Sequence, residues 1–196
     1  MPGVLRRGPQ TTKRIALTFD DGPDELTPRY LDVLDDLGIP ATFFVLGENA
    51  ERHPEHVREY LKRGHQLASH GYDHRRFTDL SRSDLLDQCA RTELAIGGQS
   101  GWSWVRPPHG SLDATSLASL LAARYTLAMW SLDSFDYRDR DVATIAVTCA
   151  PDKVRGGDVL LFHEGQQWTL NALPRIVSAL HGAGFELVTM RDLFAE

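Results

Sequence analysis

Short apolar runs alternate with amphipathic segments about seven times along the 196-residue chain. That alternation limits the fold more than any other feature. The runs at 15–19, 41–46, 65–69, 102–105, 125–130, 158–162 and 185–188 read as strands. The stretches 28–37, 54–63, 81–96, 113–124, 141–149 and 169–180 read as helices, with a short terminal helix from 191. Their ends carry local signals. Pro28 suits a first helical position, Gly38 and Gly64 suit C-caps, and Ser81 and Asp113 suit helix starts. Pro174 is the residue at odds with its helix, because it removes a backbone donor.

Strands that alternate with helices imply a parallel sheet with helices packed outside it. Two closures compete, an open doubly wound sheet and a barrel. Five polar motifs decide between them: Thr18-Phe19-Asp20-Asp21-Gly22-Pro23, His70-Gly71-Tyr72-Asp73-His74, Arg106-Pro107-Pro108-His109-Gly110, Asp133-Ser134-Phe135-Asp136-Tyr137 and Leu161-Phe162-His163. They follow five different strands and fall near the C-terminal ends. A barrel gathers those ends into one site, whereas an open sheet concentrates ligands at its switch point. The α/β pattern therefore predicts an incomplete barrel of about seven strands. Residues 1–14 read as an N-terminal extension and 15–196 as a single domain.

His70 and His74 lie four apart, and Gly71 places them in a loop that can bring both rings together. Two neutral imidazoles with one carboxylate form a common zinc ligand set. Asp20 and Asp21 follow directly on an apolar run. Adjacent residues at a strand end point opposite ways, so one can bind metal while the other acts as a base. Asp73 reads as a loop hydrogen-bonder.

The order and spacing of the five motifs resemble the NodB-type polysaccharide deacetylases, carbohydrate esterase family 4, over about residues 15–190. The resemblance implies a distorted, incomplete (β/α)7 barrel, the NodB homology domain. It implies hydrolysis of an N-acetyl or O-acetyl group on a sugar or amino sugar. It implies one divalent metal, usually zinc, with cobalt or manganese also accommodated. Residue by residue, Asp20 becomes the general base, and Asp21, His70 and His74 the metal ligands. Arg106 becomes the cation that keeps Asp20 ionised. His163 becomes the general acid, oriented and charged by Asp136. Leu161 lines the acetyl pocket, and the amide of His109 faces the oxyanion.

Three positions depart from the family text: Arg75 where Pro is usual, His109 where an aromatic is usual, and Tyr137 where Trp is usual. None removes a ligand, the base or the acid. His109 and Tyr137 bear on the substrate, and His109 could add a titrating group or a metal contact. Three other functions compete. Opening of a cyclic amide disagrees with the intact metal triad. A non-catalytic carbohydrate-binding protein disagrees with the retained Asp20 and His163. A non-haem iron oxygenase shares the ligand set but leaves the Asp20–Arg106 and His163–Asp136 pairs without a task.

Composition excludes other classes. There are 21 Lys and Arg against 27 Asp and Glu, a net charge of -6, so no nucleic-acid footprint is expected. No stretch approaches the ~20 apolar residues of a membrane span. The N-terminus has no apolar signal region, which points to the cytoplasm and to a substrate smaller than a cell-wall polymer. Cys89 and Cys149 read as reduced packing thiols.

Overall fold

The computed structural model describes residues 3–98 and 103–195. Trp102, read as the start of a strand, lies outside the described residues. Nine strands are present among them: β1 (Val4–Leu5), β2 (Arg14–Asp20), β3 (Thr42–Val45), β4 (Gln66–Ser69), β5 (Trp104–Val105), β6 (Thr126–Ala128), β7 (Leu132–Asp133), β8 (Val159–His163) and β9 (Glu186–Leu187). The helices are α1 (Thr27–Asp36), α2 (Gly47–Arg52), α3 (Pro54–Lys62), α4 (Arg82–Ala95), α5 (Ala114–Ala122), α6 (Val142–Thr148), α7 (Gln167–Gly182) and α8 (Met190–Leu193).

The strands lie in the order β1-β6-β5-β4-β3-β2-β8-β7, and β9 pairs with the first residues of β2. The ladders are parallel. β1 and β7 sit at opposite ends of this path, so the barrel is incomplete, as the alternation predicts. β1, β7 and α2 escape the sequence reading, because elements this short show no periodicity. β1 falls within the stretch read as an extension. Val4 pairs with Leu127 and Leu5 with Ala128, so the sheet reaches into those residues.

Every residue of β2 from Ile15 to Asp20 is buried. Ile15, Leu17 and Phe19 pack with the helix layer, against Tyr30, Leu34 and Leu173. Ala16, on the other face, joins Ala68, Trp104, Ala128 and Val159 inside the barrel. α8 helps fill that interior, through Met190 and Leu193. A parallel sheet covered on both faces needs apolar runs rather than alternation, which is the pattern β2 shows.

Local chemistry sets the helix ends. The Ser81 hydroxyl accepts from the Asp84 N–H, and Asp113 forms a reciprocal capping box with Ser116. α7 runs straight through Pro174. The proline lies on the exposed side while Leu170, Leu173, Ile176 and Val177 are buried. Cys89 and Cys149 are both free and buried.

Candidate active site

The register brings together Asp20 and His163, the residues expected to act as base and acid. β2 and β8 pair so that Asp20 stands opposite His163 and Phe19 opposite Phe162. Register partners on neighbouring strands point to the same face. The two phenylalanines therefore stack in the helix-side core at 5.7 Å, and Asp20 and His163 turn into the cleft. β4 ends at Ser69 and delivers His70, and β5 ends at Val105 and delivers Arg106. These ends bound a cleft of about 330 Å³ that includes Asp20, Asp21, His70, His74, Leu161 and His163.

Asp20 is held from below by Arg106. The guanidinium is completely buried and donates from Nη1 to Asp20 Oδ1 at 2.6 Å and to the Thr18 hydroxyl at 2.9 Å. It also donates from Nε to the Ala128 carbonyl at 2.9 Å and lies over the Phe44 ring. Burial raises the Asp20 carboxyl above its ordinary value, and Arg106 only partly opposes that rise. Arg106 thus acts in the direction expected from sequence, favouring the ionised carboxylate, while burial works against it.

Asp21, His70 and His74 offer three ligand atoms within 4.8 Å of one another. Asp21 Oδ1 lies 3.6 Å from His70 Nε2 and 3.2 Å from His74 Nε2. His70 Nδ1 sits 2.9 Å from the Arg106 carbonyl. A carbonyl only accepts, so Nδ1 carries the proton and Nε2 presents its lone pair. Burial pushes the His70 imidazole down to about 3, which keeps it neutral. Asp21 Oδ1 is buried without a hydrogen-bond partner among the described residues. An orphaned carboxylate oxygen facing two imidazole lone pairs fits a divalent cation.

His163 is governed by Asp136. Its ring Nδ1 donates to Asp136 Oδ1 at 2.7 Å, and its backbone N–H donates to Oδ2 at 2.8 Å. Thr169 adds a hydroxyl donor to Oδ2 at 2.7 Å, and Trp168 donates to the Asp136 carbonyl at 2.8 Å. Burial pulls the imidazole down, but the Asp136 hydrogen bond and charge, with Asp20 and Asp21 beyond, push it up to about 9. Tyr137 packs edge-on against the His163 ring at 5.3 Å.

Each residue assigned from sequence reaches this region. His109 lines the cleft, its ring 4.3 Å from that of His74, but it is not one of the three clustered ligands. Asp73 accepts from the Arg75 N–H at 3.3 Å and stays out of the cluster. Four residues of the site loops, Asp21, His74, His109 and Phe135, have left-handed backbone at φ 77, 64, 58 and 55. Each such residue costs roughly 1–3 kcal/mol, and such strain gathers at functional sites. Sequence reasoning gave no role to Asp133, Trp130, Gly110 or Gln166, which also line the cleft. Asp133 lay within a motif already singled out. Trp130 closes directly under Gly110, where a Cβ would come within 2.9 Å of the indole.

Comparison with known proteins agrees with this geometry. The polysaccharide deacetylase profile matches residues 7–128. Peptidoglycan-N-acetylglucosamine deacetylase PgdA of Listeria monocytogenes is 33% identical over 190 residues, covering 95% of this chain and 40% of PgdA. The chain thus spans about two-fifths of that relative. A crystal structure of a peptidoglycan N-acetylglucosamine deacetylase bound to an N-oxidanyl-benzamide superposes with a TM-score of 0.91. The two are 31% identical, over 98% of this chain and 92% of that one. A family 4 carbohydrate esterase from Streptomyces lividans, in complex with acetate, gives a TM-score of 0.82 at 32% identity, over 90% and 91%. Profile, relatives and motif geometry agree, and the chain belongs to the polysaccharide deacetylase family, the NodB-type hydrolases of carbohydrate esterase family 4.

Proposed function

We propose that the protein removes N-acetyl groups from N-acetylglucosamine units of a glycan, using a divalent cation, zinc in the first place, held by Asp21, His70 and His74. The observation that carries this reading is the convergence of those three donors in the same cleft as Asp20 and His163. The names of the relatives support the substrate class.

When bound, such a cation supplies Lewis acidity to the acyl carbonyl and makes hydroxide accessible near neutral pH. The chain's own residues do the rest. Arg106 occupies Asp20 Oδ1, which leaves Oδ2, 3.6 Å from His70 Nε2, to take a proton from the attacking water. The raised proton affinity of Asp20 suits that task. The backbone N–H of His109 is assigned to the developing oxyanion. Leu161, Trp130 and Tyr137 wall the space for the acetyl methyl. As the C–N bond breaks, His163 gives its Nε2 proton to the nitrogen, which leaves as an amine. One water is consumed, and acetate and the free amino sugar are formed.

Acetate and amine release by zinc-loaded protein tests this, on N-acetylglucosamine, its short oligomers and peptidoglycan. Release that stops on chelation and returns with zinc is expected. A folded, metal-loaded protein that releases nothing from any of these substrates refutes the proposal.

A further inference from the structure

A second cluster of metal-ligating side chains stands on the surface, away from the cleft. His53 closes α2 and opens α3. Its N–H donates to the Asn49 carbonyl at 2.9 Å, and its own carbonyl accepts from the His56 N–H at 3.0 Å. Pro54 follows and fixes φ at the first helical position. The backbone beneath His53, Glu55 and His56 is therefore held from both helices.

The side chains converge on one oxygen. Glu55 Oε1 lies 3.4 Å from His53 Nδ1 and 3.9 Å from His56 Nε2. The imidazoles are within 15° of parallel, with centroids 5.2 Å apart. All three ligand atoms fall within 4.8 Å of one another. Ligands about 2.0–2.2 Å from a tetrahedral ion are roughly 3.3–3.6 Å apart, so the two histidine–glutamate separations need to close by at most a few tenths of an ångström. The corresponding separations in the Asp21 cluster are 3.2 and 3.6 Å. Protonated imidazoles would make these contacts ordinary ion pairs, and a cation takes the place of both protons.

We propose that His53, Glu55 and His56 form a second divalent-cation site, separate from the catalytic cluster and selective for borderline transition metals. Two imidazoles with one carboxylate suit zinc, nickel and copper, and copper binds tightest in the Irving–Williams order. The side chains of His53, Glu55 and His56 are 31%, 53% and 17% exposed, which leaves water free to complete the coordination. The two clusters share no ligand. Asn49 stands between them, its side-chain amide on the Asp21 carbonyl at 2.8 Å and its own carbonyl on the His53 N–H. The consequence is a stoichiometry of two metals per chain, so that a metal count overstates the number of active sites.

Zinc titration of metal-free protein, followed by calorimetry and by elemental mass spectrometry of the dialysed product, tests the proposal. Wild type is compared with Glu55→Gln/His56→Gln and with His70→Ala/His74→Ala. Two equivalents are expected for wild type and one for each double variant. The Glu55→Gln/His56→Gln protein should keep its circular dichroism and its turnover. Copper added to His70→Ala/His74→Ala should give an electron paramagnetic resonance spectrum coupled to two nitrogens, lost when His53→Gln and His56→Gln are added. A single equivalent in wild type that survives Glu55→Gln/His56→Gln overturns the surface site. So does a copper spectrum indifferent to His53 and His56. A stoichiometry unchanged by His70→Ala/His74→Ala counts against the catalytic ligands alone.

Discussion

Replacing Asp136 by Asn isolates what holds the proton on His163. The Asp136 side chain is wholly buried, and each of its oxygens receives a donor from His163. The imidazole stands at about 9 against an ordinary 6.5, which corresponds to about 3 kcal/mol in favour of the protonated ring. Burial works against that preference, so the carboxylates supply it. Because the folded value is raised, the stabilisation is fully present below about pH 6.5 and is lost as pH rises through about 9. Asn keeps the shape and removes the charge, while burial remains. The ring should fall to its ordinary value or below it. Asp20 and Asp21 are unchanged, so the difference belongs to Asp136.

The assay is the pH dependence of kcat/KM, paired with a nuclear magnetic resonance titration of the His163 ring. In wild type the alkaline limb should fall near pH 9. In Asp136→Asn it should move to about 6.5 or lower, and turnover at pH 8 should drop by about 30-fold or more, the ratio of the protonated fractions. The amide must turn an N–H towards a former donor, which costs about 1–3 kcal/mol, so both proteins are compared well below their melting temperatures. An alkaline limb and a ring titration that both stay in place would refute the coupling of His163 to Asp136.

Other expectations follow from single side chains. Asp20→Asn should bind metal as wild type does and lose roughly 10²–10⁴ in kcat, with KM little changed; retained turnover would remove Asp20 as the base. Glu164 is buried beside the site, accepts from the Tyr60 hydroxyl at 2.8 and 2.7 Å and from the Thr27 hydroxyl, and is pushed up to about 8 by burial. A carboxyl raised in the folded state loses stability as pH climbs from its ordinary 4.5 to about 8. Urea midpoints should therefore fall with pH across that window in wild type and stay flatter in Glu164→Gln. Parallel slopes for the two proteins would contradict the burial argument.

The site was legible where polarity interrupts an apolar run. Asp20, His70, Arg106 and His163 each stand at or just beyond the last residue of a strand. A charged or polar residue there cannot be read as core or as open surface, and the barrel reading placed those ends together. What stayed hidden depends on neighbours distant in the chain. Nothing in the local pattern says that β8 lies beside β2, and so nothing says that Asp20 and His163 are register partners. The left-handed residues were invisible for a different reason. Sequence flags that conformation through glycine, whereas here Asp21, His74, His109 and Phe135 are forced into it by the loops that aim them. Glu164 passed unread because a lone acid after a strand end gives no sign that it folds back against Tyr60 and Thr27.

The same register poses a problem that the remaining site residues solve. A carboxylate and an imidazolium side by side on adjacent strands would pair with each other, and a base spent on its own acid can accept nothing from water. Each is instead engaged from the far side. Arg106 reaches Asp20 from within the barrel at 2.6 Å, and Asp136 reaches His163 across the ring at 2.7 Å. Both supports are themselves fully buried, where charge interactions are strongest and water does not compete. The alternating row Arg106, Asp20, His163, Asp136 leaves Asp20 Oδ2 and His163 Nε2 free of these supports; Asp136 raises the proton affinity of His163, whereas burial raises that of Asp20 against the pull of Arg106. On the proposed mechanism, losing Asp136 therefore lowers the proton affinity of His163, and losing Arg106 leaves the Asp20 carboxyl buried without its cation.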